Sequence, residues 1–160
     1  MTHYPVFLLQ SLQQITLFFI IMIIDIPGVT ERRQSPRYEI ELSVDMVMEN
    51  GSILTVNTRN ISSSGLQIIC DTWVTDEIEP RGIQSHAISH IRLKAITDLP
   101  IGDEPKKLYA NCRLMSVQRM SQDVYMLNLA FIDFENGSEQ SLNKFLDQFQ
   151  QKKTLINSYA

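Results

Sequence analysis

The stretch Tyr38-Glu39-Ile40-Glu41-Leu42-Ser43-Val44-Asp45-Met46-Val47-Met48-Glu49-Asn50-Gly51 decides the fold. Ile40, Leu42, Val44, Met46 and Met48 stand at every second position, with Glu39, Glu41, Ser43 and Asp45 between them. Side chains of a strand alternate between its two faces, so this pattern gives a half-buried strand with one apolar face. Asn50-Gly51 is a strong hairpin signal, because both residues tolerate the left-handed backbone of a tight turn. Ser52 to Thr58 then returns as a second strand.

The same reading extends toward the C-terminus. After Asn60 to Gly65 comes a third strand, Leu66 to Cys70. Asp76 to Ser85, with its charges, Pro80 and Gly82, reads as a loop. Ile88 to Ile96 gives a fourth strand, and Pro100 to Pro105 turns the chain. Leu108 to Val117 and Val124 to Phe131 form the last pair, joined by Ser121-Gln122-Asp123. The period then changes. Leu142, Phe145, Leu146 and Phe149 fall at i, i+3, i+4 and i+7, one apolar stripe on a helix expected over Ser138 to Lys152. Asn136 is placed to cap it, with Glu139 in the capping-box position. Six short strands and one terminal amphipathic helix predict a mainly β protein, an antiparallel barrel covered by that helix.

Toward the N-terminus the chain is of another kind. Val6 to Ile24 is strongly apolar and is separated from the first strand by Pro27-Gly28 and a polar run, Glu31 to Pro36. Two readings lead: translation that starts at Met22, or a single membrane anchor, with a peripheral amphipathic helix third. A signal peptide fits poorly, since no Lys or Arg precedes Arg32. Both leading readings put the domain in the cytoplasm, the anchor doing so by the positive-inside rule. The expected organisation is a hydrophobic leader over 1–29, the barrel domain over 30–153 and a tail over 154–160. Only the anchor reading brings a membrane partner.

A chain of 160 residues with 44% apolar and 20% charged residues has the composition of one globular domain. Its net charge of −4 disfavours a protein that coats a nucleic acid polymer, so any anionic ligand needs a local basic patch. Cys70 and Cys112 lie in strand-like stretches without metal or redox spacing and read as reduced core residues. No Gly-rich phosphate loop, GxSxG or HExxH is present, so no catalytic residue and no enzyme activity is assigned. His86 and His90 stand four apart but run into a strand without further ligands, and they read as loop residues; no metal site is assigned. Trp73 reads as a packing residue at the barrel rim rather than a base-stacking platform.

Two elements remain. Arg32, Arg33 and Arg37 gather three guanidinium groups on a short arm, which Pro36 stiffens and denies a helix. A guanidinium grips phosphate with two N–H groups and stacks its flat face on a purine, whereas a lysine does only the first well. It also donates to the O6 and N7 edge of guanine. The turn Asn60-Ile61-Ser62-Ser63-Ser64-Gly65 offers an amide for a base edge, hydroxyls, and a backbone position without a Cβ. Taken singly, the arm reads as a solvated surface and the turn as an ordinary loop.

Together, Arg33-x-x-x-Arg37 and Asn60-x-Ser62-x-x-Gly65, separated by one hairpin, resemble the signature of the PilZ domain, a bacterial receptor for cyclic di-GMP. That pattern is RxxxR followed by [D/N]xSxxG, and both halves match without substitution from Glu31 onward. The resemblance implies a six-stranded antiparallel barrel of PilZ type with a C-terminal helix. It implies that Arg33 and Arg37 hold the phosphates and stack on the guanines, that Asn60 bonds a guanine edge, and that Ser62 reaches base or phosphate. Gly65 would let ligand lie close to the backbone. Arg32, just before RxxxR, corresponds to members that take an intercalated pair of ligands. The strand Cys112 to Val117 lacks the tryptophan that contacts ligand in some members. The reading is a cyclic di-GMP receptor that signals to an unidentified downstream protein and needs no other cofactor. A PilZ-like adaptor that works without nucleotide is the alternative, and a single-stranded nucleic-acid barrel is weakened by the acidic charge.

Overall fold

The computed structural model describes residues 35–159. Its strands are β1 (Tyr38–Glu39), β2 (Ser43–Met48), β3 (Ile53–Ile61), β4 (Gly65–Asp71), β5 (Arg92–Ile101), β6 (Glu104–Arg119) and β7 (Val124–Glu135). A short helix α1 (Thr72–Ile78) follows β4, and a long helix α2 (Ser138–Ser158) ends the chain. All pairings are antiparallel, in the order β1-β3-β2-β5-β6-β7-β4. An additional β3–β4 pairing joins the far strand back to β3 and closes a six-stranded barrel; β1 continues the line of β2 along the same edge of β3. Among the described strands, closure leaves no long edge to recruit a foreign strand.

The alternation does its work as expected in β2, where Val44 and Met46 are fully buried and Ser43 and Asp45 exposed. The barrel interior is filled by these side chains with Ile61, Ile68, Leu108, Leu114 and Leu127, all essentially inaccessible to water. Leu142, Phe145 and Leu146 of α2 belong to the same buried cluster, so the helix covers the barrel as the stripe predicts.

Several expectations need correction. The first strand is not continuous. It breaks over Ile40–Leu42, where Thr58 Oγ1 accepts from the Leu42 N–H (2.9 Å) and donates to the Ile40 carbonyl (2.7 Å), while the Thr58 N–H still donates to the Leu42 carbonyl (2.9 Å). The region after β4 is not all loop: Asp71 accepts from the Val74 N–H and caps α1. Trp73, placed on that helix, is 61% exposed and does not pack at the rim. Pro100 and Pro105 do not end their strands. They face each other across the β5–β6 hairpin, beyond the reach of β2 and β7, where a strand has one neighbour and a missing N–H costs little. Gly102, at φ 59°, makes the two-residue turn between them. At α2 the N-cap is Gly137, with no side-chain cap; Asn136 and Gly137 both take positive φ (55° and 71°) and turn the chain from β7 into the helix. Ser138 then uses its hydroxyl to accept from the Tyr109 N–H (2.8 Å), tying the helix start to β6. The helix itself continues past Lys152 to Ser158.

Candidate functional site

The turn between β3 and β4 is built from its own hydrogen bonds. The Ser62 N–H donates to the Gly65 carbonyl (2.8 Å), and the Ser62 hydroxyl donates to that same carbonyl and accepts from the Ser64 N–H, both at 3.2 Å. Ser62 is buried and its hydroxyl holds the turn's shape. The Phe131 N–H donates to the Ser64 carbonyl (2.9 Å) and fastens the turn to β7.

Gly65 has a backbone reason of its own. A Cβ built there would lie 2.1 Å from the Leu129 carbonyl oxygen and 3.2 Å from Ala130 Cα, inside the β4–β7 pairing. Its value is close approach of two strands, and its φ is not in the left-handed region. Gly65→Ala is therefore expected to destabilise the protein without any ligand, by roughly the 1–3 kcal/mol typical of overpacking. Thermal unfolding of the ligand-free protein checks this. An unchanged melting temperature together with lost binding would instead assign the glycine to the ligand.

The arm reaches the turn through β1. Tyr38 pairs with Ile61 and Glu39 with Asn60, so the exposed Arg37 next in the chain lies beside the turn. The Ser63 hydroxyl donates to Ser35 Oγ (3.0 Å), a second tie between arm and turn. The structure thus brings Arg37, Asn60, Ser62 and Gly65 together. Arg32 and Arg33, like the leader over 1–29, lie outside the described residues.

Asn60 carries an unusual polar atom. Its Nδ2 donates to Gln67 Oε1, while its Oδ1 is buried and has no hydrogen-bond partner. Only Thr72 Oγ1 shares that condition among the described residues. Buried polar atoms are nearly always paired, so an unpaired acceptor near the end of β3, just ahead of the turn, is an observation that asks for a donor.

One residue that the sequence reading passed over is Tyr38. It is buried at the head of β1, and its ring meets Phe149 of α2 edge-on, with centroids 5.6 Å apart. Arg37 is thereby attached, through its neighbour, to the long helix. A cleft of about 410 Å³ opens here, lined among the described residues by Pro36, Tyr38, Ser63, Asn143, Leu146, Asp147 and Gln150. Tyr38 gave no special signal in sequence because it also satisfies the strand alternation.

Other chemistry is sparse. Cys70 and Cys112 are buried free thiols on strands separated by β7. Burial, with neighbouring Asp71 adding to it at Cys70, pushes both thiols up to about 12, so neither is a thiolate near neutral pH. Among the described residues no cluster of three or more His, Cys, Asp or Glu side chains could hold a metal ion. No helix among them is long and apolar enough to cross a membrane.

The sequence matches the profile of the PilZ domain over residues 31–148, a span that takes in the arm, the turn, every described strand and about half of α2. The chain belongs to the PilZ domain family. A search of curated proteins finds no match. Solved structures show the same fold. The inhibitor of motility MotI/DgrA of Bacillus subtilis superposes with a TM-score of 0.60 at 18% identity, over 77% of this chain and 53% of that one. The c-di-GMP complex of MrkH from K. pneumonia gives 0.56 at 16% identity, over 80% of this chain and 57% of that one. The c-di-GMP-bound PilZ domain of YcgR from Escherichia coli gives 0.55 at 12% identity, over 81% of this chain and all of that one. This PilZ chain therefore spans a little over half of MotI and MrkH, and the whole of the YcgR domain.

Proposed function

We propose that this chain is a receptor for cyclic di-GMP that signals to a partner protein. The observation that carries the reading is the arm–turn juxtaposition: β1 registers Arg37 beside the β3–β4 turn, next to Asn60 of β3, whose Oδ1 is unpaired. The c-di-GMP complexes of the YcgR domain and MrkH support the choice of ligand. Arg33 and Arg37 hold the phosphates and lay their guanidinium planes on the guanines. Asn60 Oδ1 accepts from a guanine N–H. The Ser62 hydroxyl and Gly65 keep the turn in place beneath. No reaction is involved. The work is done by ligand that joins the arm to the turn, and Tyr38 carries that change to α2 through Phe149. The helix is then the surface that a downstream protein reads, in the cytoplasm, with the leader over 1–29 outside the binding unit.

Arg32 gives the stoichiometry. One cyclic di-GMP has two phosphates and two guanines, which Arg33, Arg37 and the turn already occupy. A third guanidinium gains most from a second ligand stacked on the first. Calorimetric titration should show two cyclic di-GMP per chain, preferred over GMP, GTP and cyclic di-AMP, and Arg32→Leu should reduce the number to one. Absence of heat, or equal affinity for cyclic di-AMP, would overturn the receptor reading. A stoichiometry of one would remove only the second ligand.

A further inference from the structure

Asn60 is the head of a line of side-chain hydrogen bonds that crosses four strands on the outer face of the barrel. Asn60 Nδ2 donates to Gln67 Oε1, Gln67 Nε2 donates to Asn128 Oδ1, and Asn128 Nδ2 donates to Ser116 Oγ (2.7 Å). The sheet register builds this line: Asn60 is opposite Gln67, Gln67 opposite Asn128, and Asn128 opposite Ser116. Two register shifts make it possible. One, between Thr58 and Asn60, inserts Arg59 into β3 and moves Asn60 off the face of the buried Leu54, Val56 and Thr58. The other, between Leu114 and Ser116, does the same for Ser116 on β6.

The three amides point one way. Turning one of them alone sets donor against donor or acceptor against acceptor on a half-covered surface, so their orientations are coupled. The consequence falls on Asn60: with Nδ2 committed to Gln67, the atom left over is an acceptor. Reversing the whole line would leave a donor there instead.

We propose that Gln67 and Asn128 are positioning residues that hold the Asn60 amide with its acceptor toward ligand and so set base selectivity. The inference rests on the cyclic di-GMP reading and adds the reason for discrimination. A guanine edge presents N1–H and an exocyclic amino group, both donors. The corresponding adenine edge presents the bare N1 acceptor and no amino group at C2. An acceptor fixed at Asn60 accepts the first and rejects the second, whereas an amide free to rotate suits either.

The test replaces Gln67 in the full chain with residues of one hydrogen-bonding sense. Gln67→Glu offers only acceptors, keeps Nδ2 of Asn60 turned toward it, and should preserve the affinity ratio of cyclic di-GMP to cyclic di-AMP. Gln67→Lys offers only donors, draws Asn60 Oδ1 inward, and should lower that ratio about tenfold or more, in line with the cost of an unmatched polar contact. Both ligands carry the same phosphates, so the ratio cancels the effect of the added charge, which alone would favour the lysine variant for both. Melting curves establish that the variants fold. If Gln67→Lys does not, Asn128→Leu removes the next link and should lower the ratio in the same direction. Equal ratios in the folded Glu and Lys variants would overturn the proposal and leave the receptor reading intact. Failure of the unmodified protein to bind cyclic di-GMP would overturn both.

Discussion

Phe145→Ala is expected to lower stability by about 3–5 kcal/mol, the usual cost of removing a buried aromatic ring from a core. Phe145 is only 3% exposed, lies between the buried Leu142 and Leu146, and approaches Phe149 with ring centroids 5.9 Å apart. For a protein of this size that corresponds to a melting temperature lower by roughly 6–20 °C. A second effect should follow from geometry. Phe149 holds Tyr38, and Tyr38 holds the arm, so a loosened helix should also weaken nucleotide binding at temperatures where the protein is still folded. A melting curve unmoved by the substitution would mean that α2 is not part of the barrel's core.

Arg37→Ala is expected to act on the opposite side of the ledger. The side chain is exposed, and a melting curve of the ligand-free variant checks that it folds. Binding should fall by about 10- to 150-fold, the equivalent of the 1.5–3 kcal/mol of one charge-assisted hydrogen bond, before any loss of stacking. Arg37→Lys should recover part of this, because an ammonium keeps the charge and loses the fork and the flat face. Comparable calorimetric affinities for the alanine variant and the unmodified protein would remove Arg37 from the site.

The strands were legible in sequence because a half-buried strand writes its two faces as alternation, as Ser43 to Met48 does most plainly. The covering helix was legible for the same reason at another period. What escaped were features decided by partners distant in sequence. Thr58 meets the break in the first strand from the other side of a hairpin, and nothing in Tyr38 to Met48 announces it. Simple alternation puts Asn60 on the buried face with Val56 and Thr58; only the inserted Arg59 moves it, and that shift exists only against β4. Asp71 three residues ahead of Val74 was a readable cap signal for α1, obscured by the strand that ends on it. Of the site, the two motif halves were legible as residue types. Their juxtaposition through β1, and the closeness of Leu129 that demands Gly65, came from the pairing of strands.

The central claim is that the arm and the β3–β4 turn together form the cyclic di-GMP site. Backbone amide chemical shifts recorded during a titration of the full chain with cyclic di-GMP test it residue by residue. The account predicts the largest changes at Ser35, Arg37 and Tyr38 and over Asn60 to Gly65, with smaller ones along α2 near Phe149 and none at Gly102 in the far hairpin. Changes confined to another part of the barrel, with the arm and the turn silent, would contradict it.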